Sequence, residues 1–232
     1  MARDPIPFAP MVMRGAFVQL VPQMVAFLPN IILFRINPDT IRKTGTPFNP
    51  FEGQGPNRGS SPPDILPYPA DETISFTLML SATEGQQNLN PITLAHGVAP
   101  QIAALKKLIQ PGEGLIGDLI GAAKALAGGA AREIKADRIP VTFLLLGLSL
   151  AVPVRATSFT VEETHHTPTL YPQEAKVSIE LRVLTPDLFK CREDALSKLA
   201  INAYNANKLQ EDALAVANIA NNVEEIVTSL PI

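Results

Sequence analysis

The chain has little of the chemistry that cysteine, tryptophan and histidine supply. Among 232 residues there is one cysteine, Cys191, no tryptophan and only three histidines. A single cysteine excludes a disulfide within the chain and a zinc site built from several thiolates, and it fits a reducing compartment. We therefore expect synthesis and assembly in the cytoplasm.

Charge is also scarce, and no region concentrates it. Charged residues make up 18% of the chain, with 19 basic and 22 acidic side chains and a formal net charge of -3. Nucleic-acid binding depends on a clustered basic face that releases counterions, so a nucleic-acid partner is not expected. A hydrophobic content of 46% beside so little charge indicates surface that partner proteins cover.

No apolar run is long enough to cross a membrane as a helix. The longest, residues 139–154, has 16 residues and contains Pro140 and Pro153, whereas a spanning helix needs about 20. A core hairpin or a buried strand is the better interpretation. The N-terminal residues lack the basic region and apolar core of a signal peptide, so neither export nor membrane insertion is expected.

Strand-like patterns recur along the chain. Residues 14–36 are rich in Val, Ile and Phe and favour two short strands, which end at Asn37-Pro38-Asp39. Residues 73–80 and 174–184 alternate with period two, and residues 141–163 contain two more strand-like stretches. These patterns predict an α+β fold with a mixed or antiparallel sheet at its core.

A Pro/Gly-rich stretch at residues 47–72 interrupts this pattern. Seven prolines lie between residues 47 and 69, a density that no element interior tolerates. Phe48, Phe51 and Tyr68 are apolar anchors by which an extended arm could dock on a neighbouring subunit. A mobile loop is the alternative interpretation.

Helical spacing occurs in two later regions. Residues 101–136 are interpreted as a helical insertion, which starts with an amphipathic stretch and continues through several glycines. Residues 187–232 form a C-terminal helical region, with Thr185 as its N-cap and a break expected near residues 205–207. The chain is thus divided into a β-rich domain, residues 1–186, and this helical region.

The last helical stretch carries a coiled-coil-like seam. Its apolar residues recur at a step of seven and then at alternating steps of three and four, which places them along one side of a helix. The seam would contact either a neighbouring subunit or the rest of its own domain. Its members are Leu209, Val216, Ile219, Val223, Ile226 and Leu230.

A histidine pair is the strongest candidate for chemistry. His165 and His166 lie beside Glu162, Glu163 and Glu174. Adjacent histidines do not easily reach one metal ion, because successive side chains of a strand point to opposite faces. The turn of a hairpin between two strands explains these residues better.

Two further motifs predict no activity. Residues 112–117 match a GxGxxG pattern, but they follow a helix and Pro111 rather than a buried strand, so we interpret them as a helix end. Cys191 has no histidine nearby in sequence that could activate it. We expect no catalytic residue, no cofactor and no bound metal.

Several phrases of the sequence resemble tube-associated adaptor proteins of phage-tail-like contractile injection systems. The first phrase is FRINPDTI, residues 34–41, which ends a strand. The second runs from PVRATS, residues 153–158, through PTLYP, residues 168–172, into the alternating residues 175–184. The β-rich domain is accordingly similar to a tube adaptor.

That resemblance implies a non-enzymatic subunit that forms a hexameric ring and joins tube and sheath either to the baseplate or to the terminal cap, and the C-terminal region favours the cap. The implied partners are further copies of the chain, tube and sheath subunits, and cap or baseplate subunits. Baseplate relatives often carry a C-terminal LysM module, but its βααβ order is not visible after Leu184. A baseplate adaptor or a LysM-like binding module is therefore the alternative.

Overall fold

Seven strands form one antiparallel sheet in the computed structural model, which describes residues 13–20, 30–47, 69–110, 123, 126, 141–147, 150–189 and 194–229. Their order across the sheet is β2-β1-β5-β6-β7-β4-β3. In chain order the strands are β1 (Ala16–Leu20), β2 (Asn30–Leu33), β3 (Ile41–Thr46), β4 (Asp71–Ser81), β5 (Val141–Leu146), β6 (Leu150–His166) and β7 (Pro172–Val183).

Helices complete the described chain at two places. Three short helices follow β4, and a long helix follows β7 after a 3-10 turn, so the predicted α+β class with an antiparallel sheet is confirmed. The elements are α1 (Thr83–Gln87), α2 (Pro91–His96), α3 (Ala99–Lys106), the 3-10 turn (Pro186–Phe189) and α4 (Ala195–Ser229).

The sheet is strongly curled, because its edge strands β2 and β3 approach each other. A flat sheet of seven strands would separate them by about 29 Å, which only a fully extended link at residues 34–40 could approach. Phe34 follows β2, and its ring centroid lies 5.8 Å from that of Phe76 on β4. Phe17 of β1 packs against both rings, at 5.1 and 6.1 Å. The concave face therefore encloses the main core.

The two longest strands supply much of that core. Along β7, alternate residues from Ala175 to Val183 are buried, which confirms the predicted period of two. Strand β6 keeps the same face apolar only because of a β-bulge between Ala156 and Ser158. The extra residue, Thr157, returns Phe159 and Val161 to the core side.

A second, smaller cluster lies on the opposite face of the sheet. Val141 and Phe143 alternate along β5 with Leu144, which belongs to the main core. Phe189 of the 3-10 turn and Ala200 of α4 cover these two residues. Residues 139–154 thus contain a core hairpin, as expected, with its turn at Gly147, where φ is +64°.

The C-terminal helix differs from the prediction in two respects. Helix α4 is continuous through residues 205–207, so the predicted break is wrong. Asn207 donates to Glu211 Oε1 at 3.0 Å rather than competing for the helix backbone. The region after Thr185 forms a 3-10 turn, and α4 begins later, where Ser197 Oγ donates to the Asp194 carboxylate at 2.6 Å.

Three elements were not anticipated from the sequence pattern. Strand β3 reads IRKTGT and is fully exposed, so its only signal would have been pairing with β4, which runs from Ile41↔Phe76 to Thr46↔Asp71. Helices α1 and α2 are only five and six residues long. Within the described residues, no helix combines the length and apolar character needed to cross a bilayer.

Candidate interaction surfaces

The histidine pair lies at the end of the β6–β7 hairpin, as the sequence indicated. His165 Nε2 is 3.9 Å from Glu174, and His166 Nε2 is 3.9 Å from Glu163, so the two rings approach different carboxylates. Both histidines are solvent-exposed. No group of three potential metal ligands occurs within the described part of the chain. The arrangement matches the turn that the sequence predicted, with Thr167 N donating to Tyr171 O at 2.8 Å.

The turn end of the β6–β7 hairpin is held by the junction of α2 and α3. Asn90 caps α2 by accepting from Ile92 N at 3.0 Å. Gly97 then adopts φ of +56° and passes so close to Pro172 that a Cβ would contact its carbonyl oxygen. Val98 N donates to the same oxygen at 2.9 Å. The position of the hairpin is therefore fixed by backbone contacts that single-residue patterns do not encode.

Tyr171 adds a side-chain contact at the same junction. Its ring stands edge-on to the His96 ring, with centroids 4.8 Å apart. His96 was not assigned a role from sequence, and the long separation between the two residues explains why. Its neighbour in space is an aromatic side chain, which points to packing rather than acid/base chemistry.

The first half of α4 has a buried stripe. Ser197, Ala200, Tyr204 and Asn207 are buried at steps of three, four and three. This spacing turns one side of the helix toward the sheet. Tyr204 belongs to the main core and Ala200 to the smaller cluster, so α4 joins both faces of the sheet.

A charged cluster marks the end of that packed half. Lys208 forms ion pairs with Glu72 of β4 and with Glu211, the latter at 2.9 Å. Burial alone would lower the pKa of Lys208, but hydrogen bonds to both carboxylates and their charges raise it above its ordinary value. Burial raises the pKa of Tyr204, although the charge of Lys208 opposes this effect.

Beyond Lys208 the apolar residues of α4 are exposed. Leu209, Leu214, Val216 and Ile219 have relative exposures of 71, 62, 65 and 61%. At about 100° per residue, Leu214 lies about 60° from the centre of the buried stripe and Ile219 about 80° from it on the other flank. Leu209 and Val216 lie on roughly the opposite side of the helix. This part of α4 therefore presents apolar side chains on two sides.

The remaining interface candidates lie partly outside the described residues. Val216 and Ile219 lie three residues apart on α4 and are both exposed, and their role in a seam stays a prediction. Val223 and Ile226 belong to α4, but their side chains fall outside the described part. The residues that lie outside the described part of the chain include Phe48, Phe51, Tyr68 and Leu230, together with Cys191 and residues 112–117.

The convex side of β6, β7, β4 and β3 is a polar surface. It forms a broad depression of about 640 Å³, where Thr77 and Ser178 hydroxyls lie 3.1 Å apart. Arg182 forms a bidentate ion pair with Asp71, at 2.7 and 2.8 Å, near one end of this surface. Charges of both signs and hydroxyls alternate there, which is typical of a solvated sheet face.

Neither a protein-family model nor a curated protein matches the chain. The interpretation of these surfaces therefore depends on their own chemistry.

Proposed function

We propose that the chain is a structural subunit of a phage-tail-like contractile injection system, a hexameric adaptor that joins the tube and sheath to the terminal cap. The observation that carries the proposal is the second half of α4. Neighbours that cover both sides of a helix stabilise it when exposed apolar residues lie on two opposite sides. In a ring, each α4 would lie between two neighbouring copies.

The sequence phrases that support this class occupy defined positions in the fold. FRINPDTI, residues 34–41, forms the link between the edge strands β2 and β3. PTLYP, residues 168–172, forms the turn of the β6–β7 hairpin and reaches the start of β7. These phrases support a tube-adaptor-like domain, residues 1–186, and the proposal assigns the C-terminal region, residues 187–232, to contacts between copies.

Self-association is the direct test of the proposal's structural part. We expect native mass spectrometry of the full chain to show a closed ring, and Val216→Glu with Ile219→Glu to convert it to monomers. Leu170→Glu is the matched control, because Leu170 is an exposed leucine of the hairpin turn, away from α4. A wild-type chain that stays monomeric at its highest soluble concentration would contradict the ring.

A further inference from the structure

An apolar cleft separates the edge strand β2 from the end of β4. Three consecutive residues of each strand line it, Ile31 to Leu33 on β2 and Leu78 to Leu80 on β4. Successive side chains of a strand point to opposite faces, so a cleft lined by consecutive residues lies against the strand edges. Helix α3 contributes Gln101 and Ala104 to the remaining wall.

The edge of β2 that faces away from β1 has free backbone groups. Strand β2 pairs only with β1 among the described residues, and Phe34 N donates to Gly15 O at 2.8 Å. Hydrogen bonding alternates along an antiparallel pair, so Ile32 also bonds to β1, whereas Ile31 and Leu33 direct their N–H and C=O groups outward. Their side chains are more than half exposed, at 54 and 63%.

The end of β4 has the same property on its free side. Pairing with β3 begins at Ile41↔Phe76, so residues 77–81 have no described strand beside them on that side. Ala82, which follows β4, donates its N–H to Gln173 O at 2.9 Å. Because hydrogen bonding alternates along an antiparallel pair, the even-numbered residues of β4 form the backbone hydrogen bonds to β7. Met79 therefore directs its backbone groups away from β7. β2 and β4 are antiparallel to each other, since an even number of strands lies between them.

We propose that this cleft binds one extended strand of a partner polypeptide, which pairs with β2 on one side and β4 on the other. The inserted strand would take up the outward backbone groups of Ile31, Leu33 and Met79 and would extend the curled sheet. The Oε1 atom of Gln101 is buried without a hydrogen-bond partner in the described part of the chain, and it would accept a further N–H. This mode of recognition combines backbone pairing with pockets for alternate side chains.

The chemistry of the cleft specifies its occupant. None of its lining residues is charged, so the side chains that the inserted strand directs into the cleft, at alternate positions, must be uncharged and apolar. Residues 1–12, next to the described Met13, contain Pro5, Pro7 and Pro10, and proline lacks the N–H that two-sided pairing requires. The inference does not depend on the proposed function.

A labelled peptide tests the site in the full chain. The probe is a fluorescent nine-residue peptide of alternating Thr and Val, and its control carries Pro in place of the central Val. We expect saturable binding of the probe by fluorescence anisotropy and none of the control. Leu33→Pro and Met79→Pro should each weaken binding by roughly tenfold or more, since each removes one outward N–H. The control variant is Lys43→Pro, which changes the outer side of the other edge strand, β3. It should bind the probe as the wild type does.

Further outcomes decide between occupants. Ala104→Phe should fill the cleft and abolish binding while leaving both strand edges intact, which covers the case that a proline variant fails to fold. Equal binding by the wild type, Leu33→Pro and Ala104→Phe would overturn the proposal, as would no binding by the wild type. Probe binding that rises when residues 1–12 are deleted would identify these residues as the occupant, and release of self-associated chains by the probe would identify a second copy. Either result would also overturn it.

Discussion

The ring centroid of Phe34 lies 5.8 Å from that of Phe76, although four strands separate β2 from β4 in the sheet. This contact closes the concave face and places the two strand edges on either side of the apolar cleft. Both rings are nearly inaccessible, at 2 and 5% exposure. The curl of the sheet therefore depends on side chains that are distant along the ladder.

Phe76→Ala should lower the free energy of unfolding by about 3–5 kcal/mol, because it removes a buried ring from a closed cluster. Urea denaturation of the wild type and the variant measures this difference. Leu188→Ala is the control, since Leu188 is 59% exposed and should change stability by less than about 0.5 kcal/mol. Equal losses in the two variants would show that the rings do not hold the curl.

Gly97→Ala should destabilise the fold more than Gly147→Ala does. Both glycines have positive φ, at +56° and +64°, so each substitution introduces backbone strain of about 1 kcal/mol or more. Only the Cβ at residue 97 would also collide with the carbonyl oxygen of Pro172, whereas the space around Gly147 is open. Thermal unfolding of both variants compares them, and a larger loss for Gly147→Ala would contradict the close contact between Gly97 and Pro172 beside the hairpin turn.

Stability should fall in alkaline solution through the Tyr204–Lys208 pair. The pKa of each group is raised in the folded chain, so the folded state holds both protons more tightly than the unfolded chain. This contribution is complete below about pH 10, the ordinary range of both groups, and is lost as the pH rises through the folded values. Urea denaturation at pH 9 and at about pH 11 should show a smaller loss for Tyr204→Phe with Lys208→Met than for the wild type. An equal loss of stability between the two pH values in both proteins would show that Tyr204 and Lys208 do not cause the alkaline destabilisation.

Zinc should not stabilise the folded chain. A ligand that binds only the folded state raises the melting temperature, and His165 and His166 approach separate carboxylates rather than one point. We expect equal melting temperatures with and without added zinc, for the wild type and for the His165→Ala, His166→Ala variant. A zinc-dependent rise that only the wild type shows would restore the metal site.

The sequence was sufficient for the elements that have a strong internal period. Alternation located β4 and β7, and helical spacing located α3, where Ile102 and Leu105 are buried. The sequence pattern did not predict elements that depend on a neighbouring strand. Strand β3 carries a single large apolar residue, Ile41, and forms because β4 pairs with it. Propensity also predicted a break near Asn207, which a side-chain hydrogen bond within α4 prevents.

The candidate surfaces differ in how far the sequence could indicate them. Helical spacing groups Val216 and Ile219, which are both exposed, and their role as an interface stays a prediction. The cleft between β2 and β4 leaves no local signal, since Leu33 and Met79 come together only through the curl of the sheet. The close approach of Gly97 to the carbonyl oxygen of Pro172 likewise arises only in the tertiary structure.

We propose that the chain is built into a contractile particle as an adaptor at the cap. The measurement that tests this proposal most directly is quantitative mass spectrometry of intact particles, purified by their sheath from cells that make the chain. We expect the chain to be present in a fixed ratio to the sheath and to lie at the capped end in labelled images. We expect Val216→Glu with Ile219→Glu to remove the chain from the particles. Complete absence of the wild-type chain from purified particles would contradict the account.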